Sequence, residues 1–211
     1  MAVGNASAWT ARLRTLDERF LERVVALWPR CRDVLPDSPA EDTITENVVA
    51  VLSKDAQSRR LFHHVEYHYE PFGYTPEGFA FSKGEIDMAV LLDQERDRYL
   101  AYECKRLNVP RKGGTRSLAT EYVRCGVRRF VTEKYAADLP VGCMLGYVLD
   151  GDTSTARTKV LAALEAPKNN AALLGKPRPE RPIGAVHRFS SDHARHPSGQ
   201  QIEIRHALLP L

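Results

Sequence analysis

The sequence predicts an α/β fold: a mixed β-sheet flanked by helices, with an N-terminal helical extension. Three observations carry that expectation. Apolar residues recur at helical spacing early in the chain. Three apolar runs of strand length (Ile86 to Leu92, Tyr99 to Leu107 and Val141 to Asp150) are bounded by turn-prone polar residues. Helical patterns then separate and follow those runs.

Composition agrees with a globular chain. With 211 residues, 43% hydrophobic and 27% charged, it suits one domain, 40–211, behind a helical extension, 1–39. A net charge of +3 is too mild to argue for nucleic acid, so the placement of charge has to carry any such claim. Cys31, Cys104, Cys125 and Cys143 are scattered, with neither CxxC pairs nor finger-like spacing to histidine, which favours a reduced setting over a disulfide framework or a zinc site. An apolar signal core and a membrane-length run are both missing, so a cytoplasmic protein with no membrane association is expected.

From Ala8 to Leu35 the spacing of Leu13, Leu16, Phe20, Leu21, Val24, Val25 and Leu27 predicts an amphipathic helix, ended by Pro29, Pro36 and Pro39. Covering the sheet is its favoured use; a homodimer or protein-partner contact is the alternative. A second helix follows, with Ile44, Val48, Val51 and Leu52 on one face. Thr43 and Glu46 have the spacing of a capping box. Leu61 to Glu70 reads as the first strand. His64, Glu66 and His68 share one face of it, which is more simply a solvated side than a transition-metal site. Pro71 to Lys83 reads as a loop.

Gly84 to Leu107 is the stretch around which the rest is arranged. Its two apolar runs, joined through Asp93 to Arg98, read as a hairpin. A reversal near Gln94 to Arg96 makes the numbers of paired residues sum to about 190, setting Asp87 across from Glu103, with Cβ atoms roughly 4.5–5.5 Å apart. Glu103 and Lys105 share a face, and Cys104 points the other way. Two buried carboxylates so close oppose each other's ionisation unless a cation intervenes. Mg²⁺, which takes oxygen ligands and keeps several waters, meets that need. Protonated Lys105 cannot ligate a metal, but it can hold a phosphate oxygen, orient a water or offset developing charge. A surface hairpin with an exposed ion pair, worth about 0–1 kcal/mol, is the plain alternative. Against it, these charges interrupt apolar strands instead of forming a clean polar alternation.

Next, Asn108 to Ser117 reads as a loop that bends at Gly113-Gly114 among Arg111, Lys112 and Arg116. Leu118 to Ala136 reads as a helix with Ala119, Val123, Val127 and Phe130 inward and Arg124 and Arg128 outward, flanked by Tyr122 and Arg129. Between Lys105 and Lys134 nine basic residues stand against Glu121 and Glu133 alone. Such concentration beside the acidic strand is what phosphate-backbone contact requires. Val141 to Asp150 is apolar enough for a central strand. Thr153 to Glu165 is a helix burying Val160, Leu161 and Leu164, and Pro167 to Pro182 breaks into loop. Two last strands meet around His196 to Gly199, with Ile202, Ile204 and Leu208 inward. His193 and Arg195 are either substrate contacts or polar residues of an edge strand.

Asp87 followed by Glu103-Cys104-Lys105 resembles the D...(D/E)xK signature of the PD-(D/E)xK nuclease superfamily, with Ile86 where that family often has proline. The resemblance spans roughly Glu41 to Asp150 and extends more loosely to the C-terminus. It implies a restriction-endonuclease-like mixed β-sheet flanked by helices. It also implies Mg²⁺, with Mn²⁺ able to substitute, held by Asp87, Glu103 and the Cys104 backbone carbonyl. An acid on the preceding helix would assist, Glu46 being the best match and Glu41 a weaker one, and Lys105 would serve the attacking water. Tyr122, Arg124 and Arg128 would flank the site on the following helix and, with Arg111, Lys112 and Arg116, contact DNA. The implied activity is endonuclease-like hydrolysis of DNA leaving 5′-phosphate and 3′-hydroxyl ends, in restriction, phage defence, mobile-element processing or repair. The alternative is a nucleic-acid-binding subunit of the same fold that is inactive or needs a partner to cleave.

Overall fold

The structure, a computed structural model, describes residues 6–96, 98–134 and 136–211. The first helix, α1 (Ala6–Arg32), buries the stripe Leu13, Phe20, Leu21, Val24, Leu27, Trp28 and Cys31. Pro29 lies inside α1 and does not end it. Proline removes its own N–H but keeps its carbonyl, which still accepts from Asp33 N–H at 3.0 Å. The second helix, α2 (Glu41–Lys54), starts earlier than the Thr43 capping box requires. Its N-cap is Ala40, extended at φ −67° and ψ 157°, with no side-chain cap. Thr43 is therefore helical, and Glu41 and Asp42 occupy the first turn, where the helix dipole favours acids.

A short α3 (Ser58–Leu61) leads to β1 (His64–Tyr69). The expected loop after it folds into a small ribbon of β2 (Phe72–Tyr74) and β3 (Ala80–Ser82). The central hairpin is β4 (Ile86–Leu91) and β5 (Tyr99–Leu107). The expected loop at 108–117 is a second ribbon, β6 (Val109–Arg111) and β7 (Gly114–Arg116), turning at Gly113 (φ +84°) and Gly114 (φ +147°). The basic helix runs as α4 (Ala119–Glu121), a π-helical segment (Tyr122–Val127) and α5 (Arg128–Val131). Then come β8 (Val141–Val148), α6 (Thr153–Glu165), β9 (Leu173–Ile183), β10 (Val186–Ala194) and β11 (Gln201–Pro210).

Seven strands form one mixed sheet in the order β1-β4-β5-β8-β11-β10-β9. Central β8 runs parallel to both β5 and β11 and is buried throughout, as its apolar sequence requires. Loop was expected at 167–182, yet β9 is a strand despite Pro177, Pro179 and Pro182. It sits at the sheet edge, where prolines need no outward-facing donor.

The sheet separates two cores. One packs α1 and α2 against Met88, Val90, Leu100, Tyr102, Cys104 and Leu145; the other packs the basic helix and α6 against Ala89, Ala101, Met144 and Ile204. A buried ionic cluster ties α1 to the sheet. Asp17, 2% exposed, accepts from Tyr102 Oη at 2.6 Å, Arg205 Nε at 2.7 Å and Arg188 Nη2 at 3.2 Å. Among the described residues no helix is long and apolar enough to cross a membrane.

Candidate active site

The β4–β5 ladder pairs Met88 with Tyr102, Ala89 with Ala101, Val90 with Leu100 and Leu91 with Tyr99, so paired numbers sum to 190 as the hairpin symmetry predicts. The ladder stops there, while β5 continues to Leu107 with its other edge on β8. On the far side of β4 the register passes from Tyr67↔Met88 to Tyr69↔Ile86, skipping His68, which has φ 53°. Asp87 thus lies where β4 leaves β5, and the N–H groups of β5 facing it need other acceptors.

Carboxylates supply them. Asp87 Oδ2 accepts from Cys104 N–H at 2.8 Å, and Glu41 Oε2, from the first turn of α2, accepts from Arg106 N–H at 2.8 Å. Between them stands Lys105. Its ammonium lies 2.8 Å from Glu41 Oε1, 3.3 Å from Asp87 Oδ2, 2.8 Å from Glu103 Oε1 and 2.6 Å from the Cys104 carbonyl. Glu103 is fully buried and also meets Arg129, whose Nη1 is 3.0 Å from Oε1. Three acids drawn from α2, β4 and β5 therefore converge on one cation.

The electrostatics follow from that crowding. Burial pulls the Lys105 ammonium toward deprotonation, but the charges of Glu103, Asp87 and Glu41 outweigh it and hold the pKa above the ordinary lysine value. Lys105 is a permanent donor here, not a proton acceptor. Burial pushes the Cys104 thiol up, so its sulfur is an inert member of the core and only its backbone faces the site. Burial first, then the negative field of Asp42, Glu46, Asp87 and Glu85, raises the Tyr67 phenol.

The structure gathers some of the expected residues and separates others. Asp87, Glu103, Lys105 and the Cys104 carbonyl are brought together. The acid of α2 that reaches Lys105 is Glu41; Glu46, ranked above it from the sequence, is exposed. Arg111, Lys112 and Arg124 are exposed, Arg116 is exposed and pairs with Glu121 at 2.9 Å, and Arg128 is half-buried.

Tyr122 must be corrected: it is fully buried and cannot touch a ligand at the surface. Its hydroxyl lies 3.0 Å from His206 Nδ1, His206 Nε2 lies 2.7 Å from Ser191 Oγ, and Ser191 Oγ lies 2.7 Å from His193 Nε2. His193 Nδ1 faces the Ala171 carbonyl at 2.7 Å and must donate to it. That fixes the chain for two neutral imidazoles: Tyr122 donates to His206, His206 to Ser191, and Ser191 to His193. His193 is thus structural. So is Arg195, whose guanidinium donates to the carbonyls of Ala136, Ala137 and Leu139.

Arg129 is the arginine of this helix that meets Glu103. Gly126 makes the approach close, since a Cβ there would meet Met144 and Glu103 Cγ. Sequence pattern placed Arg129 as a flank of the buried face, and the half-buried Arg129 does sit there; that its partner is Glu103 is decided by how the helix packs on β5.

Compared with known proteins, the chain matches no family model, no curated protein and no solved structure. The site must be read from its own geometry.

Proposed function

We propose that this chain is a metal-dependent deoxyribonuclease of PD-(D/E)xK type with a restriction-endonuclease-like fold. The convergence of Glu41, Asp87 and Glu103 on Lys105, where β4 leaves β5, carries the proposal.

Among the described residues no three His, Cys, Asp or Glu side chains are grouped as a ready-made metal cage. Mg²⁺ does not require one, because one or two carboxylates, a carbonyl and waters suffice. The donors beside Lys105 are all hard oxygens, and each already contacts a cation. Asp87, Glu103 and the Cys104 carbonyl, with Glu41 in support, would hold Mg²⁺ or Mn²⁺, which would supply Lewis-acid polarisation of a phosphate and a more acidic water. The chain's own groups do the rest. Lys105, as an ammonium, donates to a phosphate oxygen or orients water. Arg129 pairs with buried Glu103. Asp87 and Glu41 hold the free edge of β5 open. Exposed Arg111, Lys112 and Arg124 suit phosphate contact.

One observation favours a second reading. Asp87 and Glu41 satisfy backbone N–H groups, which a purely structural ion cluster in a nucleic-acid-binding subunit would also do. Incubating the protein with linear, circular and single-stranded DNA, with Mg²⁺ or with EDTA, separates the two. The nuclease reading expects Mg²⁺-dependent cleavage that is lost in Asp87→Ala and Lys105→Ala. Binding without cleavage, or cleavage that survives both substitutions, overturns it.

A further inference from the structure

Among the described residues seven large apolar side chains are exposed, and four of them, Phe72, Tyr74, Phe79 and Phe81, belong to the β2–β3 ribbon. Hydrogen bonds fix the ribbon's shape. Thr75 N–H reaches the Phe79 carbonyl at 2.9 Å, Gly78 N–H the Thr75 carbonyl at 2.9 Å, and Lys83 N–H the Pro71 carbonyl at 2.8 Å. Pairing then sorts the side chains. Phe72 faces Ser82 and Tyr74 faces Ala80, so two aromatic residues share one face with two small ones, while Phe81 lies across Gly73 on the other. Phe72 is 61% exposed and Tyr74 72%.

Residues two apart on a strand stand about 6.8 Å from each other. Nucleotides in a stacked strand rise about 3.4 Å each, so one base fits between two such rings. The small side chains of Ala80 and Ser82 leave that face unobstructed. Ser82 lies five residues before Asp87, a chain reach of at most about 18 Å, or about five nucleotides of stacked strand.

We infer that the Phe72–Tyr74 face of this ribbon is a stacking platform for an unpaired nucleobase, and that the substrate is DNA carrying a single-stranded segment within about five nucleotides of the cleaved phosphate. The inference rests on the nuclease reading and narrows its substrate class. Stacking does not consult base edges, so the platform selects unpaired over paired strands without selecting sequence.

The test titrates the full chain, with Ca²⁺ in place of Mg²⁺, into labelled 20-mer oligothymidine and into a blunt duplex of the same length, followed by fluorescence anisotropy. Phe72→Ala with Tyr74→Ala lowers oligothymidine affinity about 5- to 150-fold and leaves duplex affinity within about twofold. Phe72→Tyr with Tyr74→Phe, which keeps both rings, restores the wild-type value. Unchanged binding of both probes by the double-alanine variant overturns the inference and leaves the nuclease reading standing. No binding of either probe by the wild type overturns both. A dimer that becomes monomer on loss of the rings, in sedimentation velocity, reassigns the face to self-association and overturns the inference alone.

Discussion

Lys105→Met keeps the bulk of the side chain and removes the ammonium that meets Glu41, Asp87 and Glu103 at 2.8, 3.3 and 2.8 Å. Breaking a buried ion pair by deleting one partner costs about 3–5 kcal/mol. Glu41 and Asp87 are 28% and 20% exposed, so water offsets part of this and the low end, about 3 kcal/mol, applies. In a chain of this size each kcal/mol moves the unfolding midpoint by about 2–4 °C, so the variant in EDTA should melt about 6–12 °C below wild type. A divalent ion can then take the ammonium's place between the carboxylates. At 100 times its Kd it returns about 2.7 kcal/mol, nearly the whole loss. Wild type should gain less, because its own Lys105 competes for the same oxygens. Scanning calorimetry at pH 7.5 over a Mg²⁺ series reads both effects. A Lys105→Met midpoint within about 1 °C of wild type in EDTA would make this an exposed, weakly coupled cluster and refute the reasoning. So would an equal Mg²⁺ gain in the Lys105→Met, Asp87→Ala double variant.

Three further outcomes are expected. Arg129→Ala removes a charged partner from fully buried Glu103, costs about 1.5–3 kcal/mol in urea unfolding, and lowers the Mg²⁺ concentration needed for half-maximal thermal stabilisation. Burial depresses the pKa of His193 and, more strongly, of His206, so the unfolded chain takes up protons first. Stability should therefore be full above about pH 6.5 and fall as pH drops below it toward the depressed folded values, a slope that Ser191→Ala, itself costing about 1–3 kcal/mol, does not reverse. A flat urea midpoint between pH 7.5 and 5 contradicts the neutral Tyr122–His206–Ser191–His193 chain. Asp17→Ala removes the buried carboxylate that Arg188 and Arg205 share, leaving each with Glu180 at 2.8 Å, and should cost about 3 kcal/mol, the low end for a broken buried pair; a loss under 1 kcal/mol would show that α1 does not depend on that cluster.

The centre of the site was legible because hairpin symmetry fixes register. Once Asp93 to Arg98 is the reversal, Met88 must face Tyr102, and Asp87, Glu103 and Lys105 follow on one face. Its periphery depended on facts that spacing does not encode. Glu41 rather than Glu46 reaches Lys105 because α2 starts at Glu41 behind an uncapped Ala40, so the Thr43 and Glu46 spacing was a coincidence inside the helix. Tyr122 falls three residues after Ala119 and one before Val123, inside the buried arc of an ordinary helical wheel, and Arg129 lies seven residues on beside it; what spacing does not encode is that Glu103 and His206 stand opposite them. Prolines hid β9, since the same residues that break central strands are tolerated at an edge, and edge position is decided by the whole sheet. Ser191, two residues before His193 on β10, was a legible neighbour; His193 looked available for chemistry because the Ala171 carbonyl and His206, which complete the chain, are supplied by tertiary packing.

Asp87→Asn offers the sharpest probe, since the amide oxygen can still accept from Cys104 N–H while the charge is gone. Compare its single-turnover cleavage of end-labelled DNA in Mg²⁺ with that of wild type. A catalytic carboxylate predicts a rate lower by at least about 100-fold, with the fold intact by circular dichroism. Cleavage by the amide variant at the wild-type rate would leave Asp87 as no more than the cap of an open strand.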